Sequence, residues 1–295
     1  MTDLLLAALV RATPLLITGL AVAIAFRAGI WNIGAEGQFY AGAVAAAWIG
    51  TRWNLHSGLA ALALIPVLAA LAGALWAAAP AFLRARFGVL EVISTIMLNF
   101  IAEYLVGFLV QGPLQEAGHT YPQSDPIAAA ARLGPFVPGA AITWALPIGI
   151  VLAVIAWVVL TRTRPGFMLR ATGANPIAAR VSGRIPVGRV AVTAFLISGA
   201  LAGLAGAAEV CGVTFALYER LSPGYGYTAI AAALLARLHP IAIIGTALFF
   251  GFLEAGASAL QRSAGIPSVT VYAAEAAIIL IVVAIDRSVG RNRRE

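Results

Sequence analysis

Three polar side chains lie within a stretch that otherwise consists of glycine and apolar residues. Asn32, Glu36 and Gln38 form the sequence Asn-Ile-Gly-Ala-Glu-Gly-Gln between two apolar segments. A carboxylate at membrane depth is costly unless it faces protein, water or a partner, and glycines let the backbone bend and let other helices approach closely. The pattern is consistent with a broken helix of the kind that transporters use to build polar sites. A polar loop at the membrane surface is the alternative interpretation.

A second polar set recurs at intervals of four residues. Glu91, Thr95, Asn99 and Glu103 have this spacing, which places them in one stripe along a helix. A polar stripe on a membrane helix faces the bundle or a water-filled path rather than lipid. Interhelical hydrogen bonding and pathway lining both account for the stripe, and we favour Thr95 and Asn99 as pathway-lining residues.

Composition places the chain in the membrane. It has 295 residues, of which 61% are hydrophobic and only 11% are charged, with a mean hydropathy of +0.94, whereas about a quarter of the residues of a soluble chain are charged. All 19 basic residues are arginine. A nucleotide-binding P-loop requires a lysine, so the chain is not itself an ATPase.

The same composition argues against other classes of function. The single cysteine excludes an intrachain disulfide, and the three histidines lack the spacing of metal ligands. We therefore predict no catalytic residues and no metal site. The net charge of +7 is explained by the excess of arginine in cytoplasmic loops of membrane proteins, so nucleic acid is not expected as a partner.

Apolar segments predict an all-α polytopic transmembrane bundle that forms a single domain over residues 1–295. A bilayer core requires about 20 apolar residues per helix. The nine predicted spans are 4–26, 39–49, 59–82, 89–110, 143–160, 190–209, 227–236 with a leading half-helix from about Phe215, 241–260 and 269–285. Two polar stretches interrupt them, an outer loop at 111–142 and a second loop at 161–189.

Arginine placement predicts the orientation. If the loop around Arg84, the loop 161–189 and the C-terminal tail are cytoplasmic, fourteen of the nineteen arginines lie inside. The C-terminus is then cytoplasmic, and nine crossings place Met1 outside.

The loop 161–189 also contains the features of a short amphipathic helix. Asn175 can cap such a helix and Gly183 can end it, with Ile177 on one side and Arg180 near the other. A helix of this form either solvates the loop or docks on a partner protein.

Three motifs resemble the inner-membrane permease subunits of ATP-binding-cassette importers. They lie at 32–38, 88–99 and 173–183, within the first two thirds of the chain. The most similar group is the nucleoside and simple-sugar type, which is related to the ribose and branched-chain amino acid permeases. The resemblance implies a multi-pass subunit of a bacterial inner membrane that supplies half of a translocation pathway and works by alternating access. The implied solute is a nucleoside, a purine-like molecule or a simple sugar.

The resemblance also implies partners and site residues. ATP would bind to separate ATPase subunits, so this chain would hold no cofactor, and a second permease subunit would complete a heterodimer that an external solute-binding protein supplies. A further helix upstream of Met1 would make ten spans. The predicted translocation residues are Asn32, Glu36, Gln38, Thr95 and Asn99. The predicted ATPase-coupling residues are Asn175, Ala178, Ala179, Arg180 and Gly183.

Two other classes of function fit the residues. A proton-coupled secondary transporter would use Glu36, Glu254 or Glu275 as proton carriers, because carboxylates within spans are costly unless they have a role. A structural subunit of a larger membrane complex is the third hypothesis.

Overall fold

The computed structural model of the chain describes residues 2–53, 58–137 and 141–264, with the isolated positions 273 and 277. The predicted span 269–285, including Glu275, is therefore outside the described residues apart from those two positions. The α-helices of the described part are α1 (Thr2–Arg27), α2 (Ala35–Arg52), α3 (Gly58–Phe87), α4 (Glu91–Val110), α5 (Ala145–Arg162), α6 (Arg164–Ala174), α7 (Pro176–Val181), α8 (Val187–Glu209), α9 (Tyr225–Leu235) and α10 (Pro240–Ala264).

The all-helical membrane bundle is confirmed, but the number of spans is not. Within the described residues, six helices are long and apolar enough to cross a bilayer, namely α1, α3, α4, α5, α8 and α10. Eight of the nine predicted segments overlap helices. Two of the helices that these segments overlap, α2 and α9, do not meet the requirement for a span. Helix α9 has only 11 residues, and the first turns of α2 contain Glu36, Gly37 and Gln38.

The half-helix predicted from about Phe215 is wrong. Helix α8 continues through a π-helical turn, Val210–Thr214, and then stops because Phe215 adopts a left-handed backbone conformation with φ 57°. Residues 215–224 are not helical. Their backbone instead pairs with the outer loop: Ile127 N donates to Phe215 O at 2.8 Å, and Ser124 N donates to Leu217 O at 2.9 Å.

Helix α8 is the centre of the bundle and packs against both α2 and α3. Glycines make this packing close. A Cβ atom on Gly203 would collide with the Ala69 carbonyl of α3, and one on Gly42 of α2 would collide with the Gly203 backbone. Gly73 and Gly199 face each other in the same way. In lipid there is no hydrophobic driving force between helices, so close van der Waals packing, which small residues allow, stabilises such contacts.

The two ends of the bundle are held by different segments. At one end, Arg27 Nε donates to Leu238 O at 3.1 Å, and Arg84 pairs with Glu91 at 3.3 Å. At the other end the outer loop covers the helices, with Ala128 N donating to Gly50 O at 2.9 Å. The arginine-rich loops and the outer loop therefore lie at opposite ends.

The outer loop contains its own polar contacts. The carboxylate of Glu116 accepts hydrogen bonds from the Gln123 side-chain amide at 2.5 Å and from Tyr121 N at 2.9 Å. The Gln123 amide has the largest effect and Tyr121 N adds to it: both donors stabilise the ionised form and lower the pKa of Glu116 below its ordinary value.

Replacing Gly203 with alanine tests the close packing of α8. We expect Gly203→Ala to lower the free energy of unfolding by about 1–3 kcal/mol, because the added methyl forces α8 away from α3. Gly245→Ala is the matched control, since a Cβ atom on Gly245 of α10 would have no neighbour within 4 Å. The measurement is the thermal unfolding midpoint in detergent. Equal midpoints for the two variants would contradict the packing role.

Candidate functional site

The break between α1 and α2 runs from the surface of the bundle into its interior, because Gly29 and Trp31 are exposed whereas Asn32 and Gly34 are buried. Near the start of the break, Trp31 N donates to the Glu91 carboxylate at 3.4 Å. Further on, Gly37 N meets Asn99, eight residues along α4 from Glu91. At 1.5 Å per residue this distance is about 12 Å, close to the middle of a hydrocarbon core about 30 Å thick. The structure thus argues against a loop confined to the membrane surface. Helix α1 is itself a complete span, so the discontinuity is the start of α2 inside the bundle rather than a single helix broken at mid-depth.

The side chains of Asn32 and Gln38 form a closed pair. Asn32 Nδ2 donates to Gln38 Oε1 at 3.0 Å, and Gln38 Nε2 donates to Asn32 Oδ1 at 3.1 Å. Asn32 also donates to Ser198 Oγ of α8 at 2.9 Å and accepts from Gly34 N at 3.0 Å. Both amides are buried, so the pair fixes the break against α8 and satisfies its own polar atoms.

The Asn99 side chain supplies the hydrogen bonds that the broken helix lacks. Its Oδ1 accepts from Gly37 N at 2.8 Å, and its Nδ2 donates to Ile33 O at 2.8 Å. A second contact of Nδ2, at 3.2 Å, reaches the Tyr227 hydroxyl of α9. One buried amide therefore joins α4 to the start of α2 and to α9.

Glu36 lies where two helices begin. It is in the first turn of α2, and its Oε2 accepts from Gly226 N, in the first turn of α9, at 2.5 Å. The Ser222 side chain also hydrogen-bonds to it. Helix N-termini carry partial positive charge and free N–H groups, so they stabilise a carboxylate. A Cβ atom on Gly226 would collide with the Glu36 backbone, which explains the glycine.

The structure brings the five predicted translocation residues together around the start of α2. Thr95 packs beside Gly34, and its hydroxyl donates to the Glu91 carbonyl of its own helix at 2.7 Å. All five side chains are buried. Their role in lining a pathway stays a prediction.

Sequence reasoning missed the partners of this cluster. Ser198, Ser222, Gly226 and Tyr227 are not among the site residues that the sequence predicts. Tyr227 is the exposed member, with 44% of its surface accessible. The signal was the run Ser-Pro-Gly-Tyr-Gly-Tyr at 222–227, in which serine and glycine can provide N-terminal contacts for a following helix.

The predicted coupling residues form α7 and its ends. Asn175 Oδ1 accepts from Ile177 N at 3.1 Å and from Ala178 N at 3.0 Å, which is the predicted cap. Gly183 has φ +67°, the left-handed conformation that favours glycine after a helix. Ala179 is buried and Arg180 is exposed. Ile177 is 75% exposed, so α7 presents an apolar side chain away from the bundle.

Helix α6, which the sequence did not reveal, connects this region to the break. Its Gly173 lies so close to the turn after α1 that a Cβ atom would collide with the Arg27 carbonyl. Gly29, with φ +74°, faces Gly173 from the other side. The loop that carries α7 therefore contacts the backbone only a few residues before Asn32.

A separate charged group lies among α1, α8 and α10. Arg11 Nη1 is 3.7 Å from the Glu254 carboxylate, and Glu209 is near enough to Arg11 to interact electrostatically. Glu209 and Glu254 are both buried. Across the described ranges, no group of three or more His, Cys, Asp or Glu side chains could hold a metal ion.

In the part of the chain that the structure describes, six bilayer-length helices and a buried polar junction define a polytopic membrane protein. A family model described as "Branched-chain amino acid transport system / permease component" matches residues 4–284. The chain belongs to this family of transport permeases.

Individual relatives are permeases of ATP-binding-cassette transporters. The chain is 38% identical over 288 residues to a glucose ABC transporter permease of Haloferax volcanii, covering 93% of this chain and 74% of the relative. It is 37% identical over 279 residues to a guanosine ABC transporter permease of Bacillus subtilis, covering 92% and 78%. It is 31% identical over 255 residues to a ribose import permease of Escherichia coli, covering 83% and 73%.

Removing the Asn99 amide tests whether it holds the break. We expect Asn99→Leu to lower the free energy of unfolding by about 2–5 kcal/mol, because it leaves the buried Gly37 N and Ile33 O without partners. Met97→Leu, at an exposed position two residues away on α4, is the control. The measurement is the thermal midpoint of the purified protein. A midpoint equal to that of the control would show that Asn99 does not support the fold.

Proposed function

We propose that this permease supplies half of a solute pathway and that the pathway passes the break between α1 and α2. The observation that carries the proposal is the Glu36 carboxylate in the first turn of α2, which the N-terminus of α9 binds at about mid-depth. Helix N-termini that meet near mid-depth are a device by which transporters form polar sites.

The solute is a neutral molecule rich in hydroxyl groups, such as a nucleoside or a simple sugar. The relatives support this class, because their names specify glucose, guanosine and ribose. These molecules share several hydroxyl donors and no charge. The family description names branched-chain amino acids, but none of these three relatives is named for them.

Family membership supports an ATPase and a solute-binding protein as partners, and the proposal adds a second permease subunit. A separate ATPase hydrolyses ATP, a second permease subunit completes the pathway as a heterodimer, and an external binding protein delivers the solute. The chain lies in a bacterial inner membrane with nine spans and a cytoplasmic C-terminus. The clustering of arginine-rich segments at one end of the bundle supports this orientation.

Coupling passes through α7. Nucleotide binding closes the ATPases, which move α7, and the Gly173 contact with Arg27 and Gly29 carries that movement to the break. The two permease halves then alternate between outward and inward access.

The proton-coupled alternative is not favoured by the family. The contacts of two of its proposed carriers also argue against it. Glu36 is bound by the backbone of α9, and Glu254 lies beside Arg11. Glu275 is outside the described residues.

Uptake by the reconstituted subunits tests the importer. We expect guanosine, glucose or ribose to enter proteoliposomes only when the second permease, the ATPase, the binding protein and ATP are all present. Collapse of the proton gradient should leave uptake unchanged. Gradient-driven uptake by this chain alone would overturn the proposal.

Charge reversal on α7 tests the coupling surface. We expect Arg180→Glu to reduce co-purification of the ATPase at least severalfold, because Arg180 is exposed beside the apolar side chains that α7 presents. Arg189→Glu makes the same charge change at another exposed position, in the first turn of α8, and should have little effect. Equal loss in both variants would assign the effect to net charge rather than to α7.

A further inference from the structure

The polar stripe of α4 continues past the buried cluster toward the outer loop. Beyond Asn99 it passes Glu103 and Gly107 and reaches Gln111, each four residues after the last. Gln111 Nε2 donates to the Glu219 carboxylate at 3.3 Å, and a Cβ atom on Gly107 would lie 3.7 Å from the same side chain. A continuous polar edge therefore connects the start of α2 with the outer end of the bundle.

Glu103 lies at the boundary between two faces of α4. On one side is the buried stripe with Asn99, and on the other is an exposed apolar face that includes Tyr104 and Phe108. Glu103 itself is partly exposed. Its position is about 18 Å along the helix from Glu91 at 1.5 Å per residue, within the hydrocarbon core. An ionisable group there requires water or protein rather than lipid.

Polar groups of α2 and α9 lie near the same edge. Glu103 is close enough to Glu36, Tyr40 and Tyr227 to interact electrostatically with each. Tyr227 is half-exposed and held by Asn99, so its ring has a fixed position beside the edge. Both residues have accessible surface, whereas the cluster around Glu36 is buried.

We propose that Glu103 and Tyr227 contact the solute in the outer half of the pathway and that Glu103 selects against anions. This inference rests on the proposed importer function. A carboxylate accepts hydrogen bonds from hydroxyl groups, and a tyrosine ring offers an apolar face to a base or a sugar. The negative charge of Glu103 would repel a carboxylate or a phosphate group on the solute. The edge therefore admits neutral hydroxyl-bearing molecules and excludes their phosphorylated forms.

Thiol labelling tests whether the edge is in water. In a Cys211→Ala background, we expect Glu103→Cys to react with a membrane-impermeant methanethiosulfonate added outside to the assembled complex in membrane vesicles. Phe108→Cys, on the exposed apolar face, should react at least tenfold more slowly. Equal rates, or no reaction at Glu103→Cys, would assign Glu103 to lipid or to a dry contact with the second permease and would overturn the proposal.

A cysteine at position 227 measures the local electrostatic potential of the pathway through its preference for reagents of opposite charge. At Tyr227→Cys, a trimethylammonium reagent should react on the order of tenfold faster than a sulfonate reagent, because a nearby fixed charge concentrates ions of opposite sign. Glu103→Gln should abolish this preference. Glu116→Gln makes the same charge change in the outer loop and should preserve it. A preference that survives Glu103→Gln would overturn the selective role.

The thermal midpoint separates these effects from misfolding. If Tyr227→Cys lowers it, the labelling rate of Glu103→Cys against Phe108→Cys remains the test of the edge. Labelling needs neither ATP nor a known solute. A failed labelling test would therefore contradict the role of Glu103 without contradicting ATP-driven uptake. A failed uptake test would contradict the importer function without changing the labelling pattern.

Discussion

The hydrogen bonds of the Asn99 amide are the contacts on which the rest of the site depends. The backbone leaves the helical pattern after Arg27, at the arginine-rich end of the bundle, and re-enters the bundle so that α2 begins at a depth where the bilayer offers no donors or acceptors. Asn99 binds the backbone on both sides of the start of α2 and also reaches α9. With that amide in place, α2 can begin at mid-depth, and Glu36 can meet the N-terminus of α9. The first role of these polar residues is therefore to provide hydrogen-bond partners for the backbone at the start of α2.

Much of the architecture could be predicted because it depends on local pattern. Runs of apolar residues locate helices wherever the backbone must satisfy itself in lipid. The cap at Asn175 and the left-handed Gly183 follow from short-range chemistry. Asn32 and Asn99 were named together as predicted pathway residues, and the structure places both beside the start of α2, although their role in a pathway stays a prediction.

The details that could not be predicted involve residues far apart in the chain. Glu36 meets Gly226 across 190 positions, and the spacing of neither residue indicates the other. The stripe on α4 indicated a polar face, but it did not distinguish the buried Asn99 from the partly exposed Glu103. The half-helix from Phe215 was wrong because pairing with the outer loop outweighed a helical pattern of apolar residues.

The glycine contacts of α8 have a consequence for biogenesis. Gly42 and Gly73 belong to the first quarter of the chain, whereas Gly199 and Gly203 are in α8. At about 5–20 residues per second, α8 leaves the ribosome on the order of ten seconds after α2. During that interval the glycine faces of α2 and α3 lie against lipid or against the insertion machinery. The central packing of the bundle is therefore completed by a late helix, so a chain that ends before α8 cannot form it.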